Sequence, residues 1–145
     1  MIKRKELRKD RIKNKVEQII NSLEFINENF PDDFEEFKSS KVIRNAVYKE
    51  IEYAIENIID VCSIINSDLR LGSPETEDSI FEHIEKNKTF TKTTIDSIKE
   101  MKKFRNILIH KYGEINDEKA FENIKEGLAD FEKVIKEIEG FLKKN

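Results

Sequence analysis

At 145 residues, with 39% charged and 37% hydrophobic side chains, the chain has the size of one domain with a sizeable core. Its formal net charge of −3 excludes a global attraction to nucleic acid, although local patches still count. The lone Cys62 excludes an internal disulfide and fits a reducing cytoplasm, and no apolar run approaches the ~20 residues of a membrane span or follows the basic start as in a secretory signal.

The first fifteen residues carry eight Lys or Arg against Glu6 and Asp10, a segment expected to be solvated. Ile12, Val16, Ile19, Leu23, Ile26 and Phe30 then recur at three- and four-residue steps, the period of one helical face. Pro31 disfavours the α conformation in the residue before it and ends this helix. Phe34 and Phe37 follow in a short turn, placed to plug one end of a core, and Ser39-Ser40 offers a cap for the next helix.

That second long helix starts near Lys41, with a wide apolar stripe through Val42, Ala46, Val47, Ile51, Ala54, Ile55, Ile58, Ile59, Cys62 and Ile65. Cys62 is expected to be a small core residue. Residues 66–78 lose the period and gather turn formers, which predicts the main loop. A shorter helix around Ile80–Lys86 comes next. A third long helix runs from about Thr91 through Ile95, Ile98, Met101, Phe104 and Leu108, with Gly113 placed to stop it as a left-handed cap. In the last helix Phe121, Ile124, Leu128, Phe131, Ile135, Ile138 and Leu142 form a seam, with Asn116 or Asp117 as its cap. The expected fold is all-α: one domain over residues 1–145, an antiparallel four-helix bundle with one or two short accessory helices.

Several chemistries lack their residues. A di-iron bundle needs Glu three residues before His, but Ile80 and Ile107 stand there, before His83 and His110. No Cys/His spacing suits zinc and no glycine-rich phosphate loop is present, so no metal and no cofactor is expected. His83, among polar neighbours such as Glu82 and Glu85, is expected to face solvent.

The densest chemistry lies in Phe104-Arg105-Asn106-Ile107-Leu108-Ile109-His110-Lys111-Tyr112, an Arg-x4-His-x-Tyr spacing at the end of a helical pattern. Arginine is always cationic and histidine titrates near neutrality, so the pair could stabilise a phosphate while moving a proton. On a continuous helix, residues five apart are rotated by about 140° and raised by about 7.5 Å. Arg105 and His110 would then lie on different faces, whereas Asn106 and His110 share one, and Arg105 and Tyr112 nearly align if the helix lasts that far. Arg105 and His110 could meet either by a helix break or across a two-fold dimer. The apolar Ile107, Leu108 and Ile109 suit a helix end buried on more than one side. Residues 92–111 hold six cations (Lys92, Lys99, Lys102, Lys103, Arg105 and Lys111) against Asp96 and Glu100, a local patch suited to a polyanion.

This run, with the order of helices, proline break and polar loop around it, resembles the HEPN-domain proteins. It is most similar to HepT-like toxins of HEPN/minimal-nucleotidyltransferase toxin–antitoxin pairs. The resemblance implies a metal-independent endoribonuclease toxin of a type VII-like pair, acting at a homodimer cleft in the cytoplasm without membrane association. By the same resemblance His110 would be the general acid/base, Arg105 would stabilise charge on the scissile phosphate, and Asn106 would orient His110 or the phosphate. Lys102, Lys103 and Lys111 are candidate RNA contacts. Tyr112 would accept AMP from a cognate nucleotidyltransferase antitoxin, silencing the toxin by filling the cleft with an anionic group. The alternative is a non-catalytic helical partner that helps a nucleotidyltransferase hold its substrate.

Overall fold

A computed structural model describes residues 6–145, so Lys3, Arg4 and Lys5 of the basic N-terminus lie outside the described residues. Six α-helices follow in order: α1 Lys9–Asn29, α2 Phe34–Ser39, α3 Lys41–Asp68, α4 Glu77–Lys86, α5 Lys92–His110 and α6 Asp117–Lys144. A single 3-10 turn, Tyr112–Glu114, links α5 to α6. The contacts α1–α3, α3–α5, α5–α6 and α6–α1 close a ring, so these four long helices form the expected bundle. The short α2 covers one end against α3 and α6, and α4 packs on α3 and α5.

The periodic residues of α1 are buried from Ile12 through Val16, Ile19 and Leu23 to Ile26. Phe34 and Phe37 lie on a six-residue helix rather than a turn, because Asp33 caps it by accepting from the Glu36 amide at 2.8 Å. Phe37 does plug the core: its ring centroid lies 5.4 Å from Phe121 and 5.7 Å from Tyr48, while Phe30 stacks on Phe121 at 5.0 Å.

Ser40 caps α3 by accepting from the Ile43 amide at 3.2 Å. The stripe of α3 then buries its helix on several sides, with Cys62 fully enclosed. Val42 departs from the expected stripe and is 79% exposed, while its neighbour Ile43 packs against the core. Helix α3 runs to Asp68 and α4 starts at Glu77, so the loop is shorter than its composition suggested. Thr76 and Ser79 form a reciprocal capping box that extends α4 backwards.

Two features of this region differ from the sequence expectation. His83 is half-buried, not solvent-facing: its Nδ1 lies 3.1 Å from Asn66 Oδ1, while Asn66 Nδ2 donates to the Gly72 carbonyl at 3.0 Å. A Cβ on Gly72 would clash with the imidazole, so a larger residue there would have to displace the His83 ring from Asn66. The basic N-terminus is also partly tied down rather than solvated. Arg8 donates through Nη2 to the fully buried Asp68 at 2.9 Å and Lys15 reaches Asp60 at 2.9 Å.

Asn116 caps α6, accepting from the Lys119 amide at 3.1 Å. Its buried face holds Phe121, Ile124, Phe131, Ile135 and Ile138 as expected, joined by Ala120, Val134 and Phe141. Leu128 and Leu142 are only half-buried against that core. Among the described residues, no helix is long and apolar enough to cross a membrane.

Candidate active site at the end of the fifth helix

Thr91 starts α5 by accepting from the Thr94 amide, and the helix continues unbroken through His110. The rotation of an α-helix therefore acts in full between Arg105 and His110. Arg105 is buried against α3 and α4, and the His110 ring is exposed and makes no hydrogen bond among the described residues. Within one chain the two do not share a face.

Arg105 lies in a polar cluster that no spacing in the sequence revealed. Its Nη2 donates to Glu77 Oε1 at 2.6 Å and its Nη1 to Glu56 Oε1 at 3.0 Å. Nε and Nη2 also donate to Asn106 Oδ1, at 3.1 and 3.0 Å. The hydrogen bond it donates to Glu77, aided by the charges of both carboxylates, holds the guanidinium above its ordinary pKa despite burial. Asn106 thus orients Arg105, and its Oδ1 is not turned to His110. Glu56 gave no signal of this contact, because its side chain, 40% exposed, reads as one more surface carboxylate of α3. Glu77 gave none, since it stands 28 residues from Arg105 in another helix.

Tyr112 does not align with Arg105, because α5 ends first. The Lys111 amide still bonds the Ile107 carbonyl at 3.0 Å, but at φ −127° and ψ 30° the chain leaves the helix. The Glu114 amide then bonds the Lys111 carbonyl at 2.8 Å, closing the 3-10 turn. Gly113 lies inside that turn without positive φ, so the left-handed cap expected there is absent; the tighter turn satisfies the carbonyl instead. The turn carries the half-exposed Tyr112 across to α3, where its hydroxyl donates to Asn45 Oδ1. One turn further along α3, the Tyr48 hydroxyl donates to Asp117 at 2.6 Å. Burial, then Asp117, push the Tyr48 phenol well above its usual pKa.

The apolar residues of the motif divide. Leu108 is buried, but Ile107 and Ile109 are 41% and 43% exposed, so this chain alone does not enclose the helix end as expected. Between α5 and α6 runs a groove of about 460 Å³, floored by Ile51, Ile55 and Ile124 and reaching Ile107. The basic patch is largely neutralised. Lys92 pairs with Asp96, Lys102 with Asp78 and Lys103 with Glu100 at 2.9 to 3.1 Å. Of its six cations, Lys99 and Lys111 make no ion pair among the described residues. No group of three His, Cys, Asp or Glu among the described residues could hold a metal ion.

Residues 6–138 match the family described as Ribonuclease HepT-like. The mRNA nuclease HepT of Shewanella oneidensis is 29% identical over 126 residues, which cover 87% of this chain and 94% of that protein. The fold is similar to that of a tri-AMPylated Shewanella oneidensis HEPN toxin in complex with MNT antitoxin, with a TM-score of 0.82 and 28% identity over 90% of this chain and 98% of that one. It is likewise similar to a toxin–antitoxin crystal structure with AMP-PNP, with a TM-score of 0.82 and 27% identity over the same 90% and 98%.

Proposed function

Because this chain belongs to the HepT-like ribonuclease family, we propose that it is the toxin of a toxin–antitoxin pair, a metal-independent endoribonuclease restrained by a nucleotidyltransferase. The observation that carries this reading is the family match over residues 6–138, which includes an Arg-x4-His-x-Tyr run at an exposed helix end. His110 would take the proton of the attacking 2′-hydroxyl and return one to the leaving 5′-oxygen. Arg105, its fork held ready by Glu56, Glu77 and Asn106, would exchange a carboxylate oxygen for an oxygen of the scissile phosphate.

The opposed faces of Arg105 and His110 call for a second copy, so the working unit would be a homodimer with α5 at its interface. The exposed Ile107 and Ile109 supply apolar surface for it. Lys103 and Lys111 remain exposed as RNA contacts, and Lys102 would join them on leaving Asp78. AMP transfer to Tyr112 would place an anionic group beside this cleft and silence it.

One observation favours a second reading. Arg105 is held by two carboxylates, as in a structural cross-brace, which suits a non-catalytic partner of a nucleotidyltransferase. RNA cleavage in excess chelator, compared with His110→Ala, decides between them. Cleavage that survives chelation and disappears with His110 supports the nuclease. Undiminished cleavage by the variant removes His110 from the chemistry, and a folded, unmodified dimer that cuts no RNA favours the partner reading.

A further inference from the structure

We propose that Asn45 is a positioning residue for modification of Tyr112, holding the acceptor hydroxyl in line for attack on the α-phosphorus of ATP. The inference rests on the reading of Tyr112 as the AMP acceptor and adds the residue that presents it. Tyr112 is reached through an unbroken α5, the Lys111 amide bonded to Ile107, and a 3-10 turn closed by the Glu114 amide. Tyr112 is 52% exposed, and among the described residues its hydroxyl makes one hydrogen bond, to Asn45 Oδ1. Asn45 belongs to the second turn of α3, whose start is fixed by the Ser40 cap and by the Arg44 Nη1 bond to the Lys38 carbonyl at 2.7 Å. Two independently anchored elements therefore meet at one phenolic oxygen.

The chemistry assigns Asn45 alignment only. In the transfer, the Tyr112 Oη–Pα bond forms, the Pα–O–Pβ bond of ATP breaks and pyrophosphate leaves. The phenol proton goes to a base of the transferring enzyme or to water, because a neutral amide oxygen is too weak a base to keep it. By accepting the O–H, Asn45 turns an oxygen lone pair of Tyr112 outward and fixes the phenol rotor. Removing such a constraint misplaces the nucleophile, and misplacement of about 1 Å can cost up to about a hundredfold in rate.

The test incubates the full chain with its nucleotidyltransferase and ATP and follows intact mass with time. Wild type gains the mass of AMP and Tyr112→Phe does not; a wild type that gains none overturns the acceptor reading, and this inference with it. Given a modified wild type, Asn45→Ala is expected to lower kcat for transfer about tenfold. The apparent KM for ATP should stay unchanged, because Asn45 touches the acceptor and not the nucleotide. Asn45→Asp, which keeps an oxygen at that position, should restore the rate. Transfer to Asn45→Ala at the wild-type rate overturns the positioning role. So does a loss in Asn45→Ala, at unchanged melting temperature, that Asn45→Asp does not repair.

Discussion

Arg105 Nη2 donates to Glu77 Oε1 at 2.6 Å, and through that contact the first turn of α4 is fastened to α5. Glu56 of α3 grips the same guanidinium at 3.0 Å, so one side chain ties three helices together. Removing one partner of a buried pair costs about 3–5 kcal/mol. Here the Glu77 side chain is 34% exposed against 8% for Arg105, so solvent screens much of the interaction. Glu77→Gln should therefore lose about 1–2 kcal/mol, lowering the thermal midpoint by roughly 2–8 °C. A melting curve superimposable on wild type would show that Glu56 and Asn106 hold Arg105 unaided.

The exposed Ile107 and Ile109 lead to a prediction that separates folding from assembly. Neither side chain is enclosed by its own chain, so Ile109→Glu should change monomer stability by no more than about 0.5 kcal/mol. In the proposed homodimer the same carboxylate would be buried opposite its own symmetry copy, where like charges repel without a partner. Light scattering should then report a folded monomer where wild type is a dimer. A variant that remains dimeric would move the interface away from the end of α5.

The bundle was legible because its long helices are amphipathic, and three- and four-residue spacing reports a buried face wherever the neighbours lie to one side of the helix. That logic weakens on α3, where contacts with α1, α4 and α5 replace a single seam and Tyr48, Asn57 and Val61 are buried as well. It fails at the start of α3, where Val42 has the right spacing but is exposed and Ile43 beside it packs on the core instead. The motif was legible as a run of residue types, and the opposed faces of Arg105 and His110 followed from helical rotation alone. Glu56, Glu77 and Asn45 were not legible. Each meets its partner only after distant segments pack, and a polar residue at a helix surface has no period that betrays its contact. His83 failed for a related reason, since its polar sequence neighbours said nothing of Asn66 and Gly72, brought to it by the α3–α4 loop.

On α6 the sequence pattern treats Leu128 and Phe131 as equal members of one seam, but the packing ranks them. Phe131 is 4% exposed, whereas Leu128 is half-buried. An unpaired buried charge costs at least several kcal/mol, a large share of the ~5–15 kcal/mol that holds a domain folded. Phe131→Asp should abolish cooperative folding, read as loss of the thermal transition by circular dichroism. Leu128→Asp can turn its carboxylate to water and should keep a cooperative transition, with a loss of about 1–3 kcal/mol. Equal damage from the two would show that α6 is seated with Leu128 facing the core.

Cys62 gives a pH dependence whose sign can be worked out. Complete burial pushes its thiol up from an ordinary 9.0 to about 12. Between those values the folded chain keeps a proton that the unfolded chain has released, so this group's contribution to stability is complete below pH 9.0 and falls as pH rises towards 12. One group can set a slope of at most about 1.4 kcal/mol per pH unit. Urea midpoints of wild type and Cys62→Ala, measured with reductant at several pH values across that window, isolate the thiol because every other ionisable group is common to both. Cys62→Ala should be the less stable protein at neutral pH, where it has lost a buried sulfur, and its deficit should shrink steadily above pH 9.0. Iodoacetamide at pH 8 should accordingly label Cys62 only in denaturant, since the thiolate is the reacting species. A deficit constant across the window, or fast labelling of the folded chain, would mean that the thiol ionises in place and that the core around it opens to water.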